Sequence, residues 1–172
     1  QMCIRDRFTE DGKQFFRFQL DARGRSLVVW TSDSDNGQQR KVGETRLATV
    51  PDGPRGLVPG GKWLHLGTQI YDRQTLRPVS TKSIRGRNVV RIAFSGDGQR
   101  YAVATQGNRR EADGASQEEV QVTLHETATG RMLAALPPTS HQVELLVFSP
   151  DAKRLIVVRD DNELEAWRLP LP

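Results

Sequence analysis

The sequence predicts an all-β protein. Three features carry that reading: short stretches of alternating apolar and polar residues, turn-forming clusters between them, and one design that recurs four times. No segment holds a helical period. Leu27 to Trp30 and Trp63 to Leu66 are the first strand candidates. Val90, Ile92 and Phe94 alternate with Arg91 and Ala93, the two-residue period of a half-buried strand. Tyr101 to Thr105 follows, and then Val120, Val122 and Leu124 alternate with Gln121, Thr123 and His125. Leu145 to Phe148, Leu155 to Val158 and Leu164 to Trp167 complete the set. Clusters of Gly, Asp, Asn and Pro separate them, the residues that set hairpin turns.

The recurring design begins at FTEDG (8–12), LVPGG (57–61), FSGDG (94–98) and FSPDA (148–152). In each, an apolar strand end runs into a turn. A polar or basic residue (Lys13, Lys62, Gln99, Lys153) then leads into a second strand. The last turn residues fall at 12, 61, 98 and 152, so the spacings are 49, 37 and 54. Each unit carries a later punctuation, at VVWTSDSDNG, QIYDRQT, VTLHETATG and EAWRLP. The long third spacing is assigned to Asn108 to Glu119, a polar stretch expected to be a surface loop inserted between two strands. A repeat of about 40 residues with four short strands is the signature of a propeller blade.

The two C-terminal units, VVRIAFSGDGQRYAVAT…VQVTLHETATG and HQVELLVFSPDAKRLIVVRDDNELEAWRL, resemble blades of the WD-repeat β-propeller family. The likeness is good over 87–172 and degraded over 8–86. It implies a β-propeller of four-stranded antiparallel blades, cut roughly at 8–45, 46–86, 87–137 and 138–172. Rings of this family usually have seven blades, so the four here imply an incomplete propeller with about three blades upstream. The resemblance further implies a structural network of His141, Asp161 and Trp167 in the last unit. Val157 and Val158 stand where the family's hydroxyl would be, so the network is only partial. After the strand at Trp167 to Leu169 come Pro170 and Pro172, so a fourth strand is not expected in that unit. Its unpaired edge predicts a chain that, alone, is poorly soluble or self-associates.

Composition narrows the class. The chain has 172 residues, 36% hydrophobic and 27% charged, with a net charge of +4. No apolar run is long enough for a membrane span. Residues 1–7, QMCIRDR, read as a non-native tail: the frame ATG-TGT-ATA-AGA-GAC of a transposon-end adapter encodes Met2 to Asp6. Without that tail the chain loses Cys3, its single cysteine, and the net charge falls to +3. The tail leaves any export signal beyond assessment, with the cytoplasm favoured.

Candidate chemistry is sparse. His65, His125 and His141 lack metal-motif spacing and read as hydrogen-bonding residues of strands and loops. Asp33, Asp35 and Glu44 mimic a calcium loop, but its glycine is misplaced at Gly37, and a hairpin turn at Asn36-Gly37 accounts for them better. Asp160 with Asp161, and Glu118 with Glu119, read as turn and rim charge, because neighbours on a strand point to opposite faces. No catalytic, cofactor-binding or metal residue is assigned, and no cofactor is expected.

The cations are more informative: 20 of 25 are Arg. Arg73, Arg77, Lys82, Arg85, Arg87 and Arg91 lie in a stretch without an acid. Arg suits bidentate capture of carboxylates. These residues, with Arg109 and Arg110, are the candidate contacts for a protein partner, an acidic one in particular. No aromatic interrupts the stretch, so a stacking platform for nucleic acid is not expected. The resemblance implies a non-catalytic protein–protein interaction scaffold, as found in bacterial proteins with an upstream effector or signalling domain. The alternatives are a propeller enzyme, or a periplasmic propeller, with ligands on blades not present here.

Overall fold

The structure is a computed structural model that describes residues 4–8, 14–20, 26–33, 36–46, 55–67, 69–79, 88–110 and 116–169. Those residues form fourteen strands and no helix. The chain divides into two compact units, Gln1–Val79 and Ser80–Pro172.

The first unit holds two sheets. In one, β1 (Ile4–Phe8), β2 (Gln14–Leu20), β3 (Ser26–Asp33) and β4 (Gln39–Arg46) pair in chain order. Strand β1 takes in four residues of the stretch read as a non-native tail; backbone pairing is indifferent to where a segment comes from. The second sheet is β5 (Arg55–Leu57), β6 (Trp63–Leu66) and β7 (Gln69–Asp72). Its next strand is reduced, among the described residues, to one bridge between Tyr71 and Pro78, with Val79 N–H donating to Ile70 O at 2.8 Å.

The second unit repeats the plan. Strands β8 (Asn88–Phe94), β9 (Arg100–Arg110), β10 (Ser116–Glu126) and β11 (Met132–Ala135) form a four-stranded meander. Strands β12 (Val143–Phe148), β13 (Arg154–Arg159) and β14 (Leu164–Arg168) form a three-stranded one. All pairings are antiparallel. The core between these two sheets includes Ala102, Ala104, Val122, Leu124, Phe148 and Val157, the inward half of each two-residue period.

One expectation is corrected. Among the described residues, 108–110 and 116–119 are paired strand and not loop: β9 and β10 stay in register to their ends, with Asn108 opposite Glu118 and Arg110 opposite Ser116. Strand β8 reaches only as far as Gln106, so the remainder projects as a two-stranded ribbon. Its side chains are polar because a ribbon clear of the core needs backbone pairing but no apolar face. Composition therefore hid its strands.

The two recurring turns of the second unit are built alike. Ser95 Oγ donates to Asp97 Oδ1 at 2.5 Å and accepts from Arg100 N–H, while Gln99 N–H donates to Asp97 Oδ1. Ser149, Asp151, Lys153 and Arg154 reproduce each bond. The serine hydroxyl holds each aspartate's pKa below its ordinary value. At the fifth residue φ is +66° for Gly98 but +55° for Ala152, a left-handed conformation that costs an L-residue about 1–2 kcal/mol. Set against glycine's looser unfolded chain and the loss of a buried methyl, Ala152→Gly should gain about 0.5 kcal/mol. Gly98→Ala should lose about 1 kcal/mol. Denaturant melts of the two variants test this, and shifts of the same sign would refute the equivalence of the turns.

Candidate functional site

The second punctuation also recurs in three dimensions. Asp72 Oδ1 accepts from Thr75 N–H at 2.8 Å, Thr75 Oγ at 2.9 Å and Gln74 N–H at 3.0 Å, which lowers its pKa. Thr129 Oγ likewise donates to Glu126 Oε2, and Arg131 N–H donates to Thr129 Oγ at 3.1 Å. The backbone closes identically, from Leu76 N–H to Asp72 O and from Gly130 N–H to Glu126 O. Just ahead of these turns, Tyr71 and His125 occupy matching strand-end positions.

His125 is buried and engaged on both sides of its ring. Nδ1 lies 3.2 Å from Gly130 O; a carbonyl can only accept, so Nδ1 carries the proton and Nε2 faces Thr123 Oγ at 2.9 Å. The ring stacks on Tyr101 with centroids 4.9 Å apart. Burial lowers the His125 pKa and pushes that of Tyr101 up to about 12. His65 is also buried, with Nδ1 3.4 Å from Gly67 O. Both positions are structural.

Of the network expected in the last unit, the structure brings two members together. His141 Nδ1 lies 3.2 Å from Asp160 Oδ1 and 3.4 Å from Asp161 Oδ2, bridging the segment before β12 to the turn after β13. These three donors lie within 4.8 Å of one another and are exposed. They are the described residues grouped closely enough to offer a cation three ligands. Trp167 is elsewhere: its Nε1–H donates to Glu165 Oε2 at 2.6 Å, and Glu165 Oε1 accepts from Arg159 Nε at 2.9 Å. This Arg159–Glu165–Trp167 chain was not anticipated. The two-residue period of a strand, which puts Glu165 and Trp167 on one face, was the available signal.

The candidate partner contacts are dispersed. Arg73 and Arg77 belong to the first unit; Arg77 is exposed, while Arg73 lies against Gly61. Lys82, Arg85 and Arg87 lie outside the described residues. Arg91 ties one sheet to the next, with Nε donating to Glu144 O at 3.1 Å and Nη1 to Val90 O at 2.9 Å. Arg109 and Arg110 lie on the projecting ribbon, paired with Gln117 and Ser116. At the calcium-like sequence the chain turns at Asn36-Gly37, where Asn36 Oδ1 accepts from Gln38 N–H at 2.8 Å. Glu44 is paired with Lys41 at 2.8 Å.

The second unit also has hollows among its described residues. An apolar cavity of about 160 Å³ lies between its sheets against Leu124, Leu136, Leu155, Trp167 and Leu169. A shallower, polar hollow of about 110 Å³ lies beside the ribbon, against Gln117, Glu119, Pro138 and Ser140.

No family model and no curated protein matches the chain. Solved structures do, among them the β-propeller domain of Cps50 (Swd1) from Myceliophteria thermophila. That match has a TM-score of 0.64 at 14% identity and covers 98% of this chain and 54% of that one. The fold is thus a β-propeller fold, made of antiparallel sheets of three or four strands. The chain spans about half the length of the propeller it matches.

Proposed function

We propose that the chain is part of a WD-repeat propeller that serves as a non-catalytic scaffold for protein–protein contact, with the β9–β10 ribbon as its principal contact element. The observation that carries this reading is the division between what repeats and what does not. The repeated groups, Ser95-Asp97 with Ser149-Asp151 and Asp72-Thr75 with Glu126-Thr129, all bond to their own turns. The ribbon has no counterpart in the adjoining sheet, where β13 ends at Arg159. Function on such a scaffold resides in the elements that depart from the repeat. Arg109 and Arg110 on β9 give the ribbon an affinity for acidic protein segments.

The test removes residues 107–119 and joins Gln106 to Val120 through an Asn-Gly turn. Proximity labelling in the source cell is then compared between intact and shortened chains. Circular dichroism should be unchanged, and a set of labelled proteins should fall at least about tenfold, the change expected from about 1.4 kcal/mol of lost contact. An identical set from both chains would overturn the ribbon's role.

A further inference from the structure

The turn between β3 and β4 carries Asn36-Gly37, the one asparagine–glycine step in the sequence. Asparagine is among the thermolabile residues, and this step can react with itself. The glycine nitrogen attacks the carboxamide carbon, Cγ, and closes a five-membered ring. Glycine permits this best, because it has no side chain to crowd its nitrogen or restrict its φ. Asn36, Gly37 and Gln38 are all exposed, so water reaches the carboxamide and the backbone alike. Among the described residues, nothing lies within 4 Å of where a Gly37 Cβ would sit.

The local geometry favours the attack. Asn36 Oδ1 accepts from Gln38 N–H at 2.8 Å. A carboxamide that reaches the amide two residues on lies over the peptide between them, so Cγ is held near Gly37 N. The same hydrogen bond polarises the carbonyl and meets the negative charge that grows on Oδ1 as the nitrogen adds. A backbone donor aimed at a developing oxyanion lowers the barrier.

The second unit supplies the comparison. At Asp97-Gly98 the turn is similar, with Gln99 N–H donating to Asp97 Oδ1 at 3.0 Å and Gly98 φ at +66°, the value at Gly37. There the side chain is a carboxylate, kept ionised because the Ser95 hydroxyl lowers its pKa. An anion repels the nucleophile and offers no leaving group. The Asn36 amide is neutral and can release ammonia.

We infer that Asn36 is a site of self-modification, converting to aspartate and isoaspartate with water as the only co-reactant. Hydroxide takes the Gly37 N–H proton, and the freed electron pair forms the bond from Gly37 N to Asn36 Cγ. The Cγ–Nδ2 bond breaks, and ammonia leaves with a proton from water. Water then opens the ring at one of two carbonyls. Breaking the bond to Cγ gives aspartate; breaking the bond to the main-chain carbon routes the chain through the side chain and gives isoaspartate. Either product carries an anion, so the net charge of +4 falls by one. Aspartate keeps the acceptor for Gln38 N–H. Isoaspartate adds a methylene to the main chain beside the Ser32↔Gln39 pair, which loosens the first rungs between β3 and β4. The hairpin thus records the age of the chain in its charge and its register.

Peptide mapping by mass spectrometry tests this on the intact chain, held at neutral and at higher pH. A synthetic peptide of residues 32–41 sets the rate of the same sequence without the fold. Asn36 in the chain should convert no more than about tenfold slower than in the peptide, and faster as pH rises. The product should accept a methyl group from an isoaspartyl methyltransferase. Gly37→Ala should slow conversion at least about tenfold, since it crowds the nitrogen. Asn36→Gln, which must close a six-membered ring, should stay an amide over the same period, and Asp97 should gain no isoaspartate. A chain that protects Asn36 more than about tenfold against the peptide would overturn the proposal. So would isoaspartate forming at Asp97 as fast as at Asn36.

Discussion

Glu165→Ala is expected to destabilise the second unit by about 2–3 kcal/mol, a fall in its melting temperature of about 8–24 °C. Glu165 accepts from both Arg159 Nε and Trp167 Nε1. The Arg159 side chain is only 6% exposed, and its Nη1 already has no hydrogen-bond partner. Removing the carboxylate leaves a guanidinium in the core with no counter-charge. Breaking a buried pair costs about 3–5 kcal/mol when both partners are dry, and Glu165, at 27% exposure, keeps some solvent. The double variant Arg159→Met, Glu165→Leu should recover most of the loss, because an apolar pair asks for no compensation. Equal losses in single and double variants would show that packing alone is at stake.

Leu76→Gly is expected to cost about 2 kcal/mol, although it removes backbone strain. Leu76 holds φ at +53°, where its counterpart Gly130 sits at +67° without penalty. Relief of that strain would return about 1–2 kcal/mol. Against it stands the side chain, 3% exposed and packed over Gly43 so closely that a Cβ there would lie 2.9 Å from Leu76 Cδ1. Emptying such a site costs about 3–4 kcal/mol, so packing wins over conformation. Gly43→Ala should itself cost about 1–2 kcal/mol, since a buried leucine cannot swing aside without vacating its own contacts. Combining Gly43→Ala with Leu76→Ala should cost less than the sum of the single changes, by at least about 0.5 kcal/mol. Strict additivity in urea denaturation would refute the contact.

The strands of the second unit were legible because their physics is local. The alternation at 120–124 and 90–94 needs only a half-buried sheet, and β10 and β8 contain it. The turns were legible for the same reason, since serine and aspartate close them within a few residues. Three things were not. The ribbon, described at 107–110 and 116–119, sets a mostly polar sequence on paired backbone, and no apolar period reports backbone pairing. Trp167 was expected in a network with His141 and Asp161, whereas its acceptor, Glu165, lies two residues away in the same strand. The role of Arg91 depends on the carbonyl of Glu144, fifty-three positions further on, and nothing in a run of arginines distinguishes a cation that ties two sheets from one that faces solvent. His141 lies against both Asp160 and Asp161 because the turn after β13 presents both carboxylates to it.

The four meanders carry a consequence for how the chain is made. In each sheet every strand pairs with its immediate predecessor or successor, so no hydrogen-bonded ladder waits for a distant segment. As the polypeptide leaves the ribosome, the sheet from Asn88 to Ala135 can close before Val143 has been added. Its buried alanines and valines then form a ready wall for the next sheet to fold against. For these two sheets synthesis order and packing order coincide.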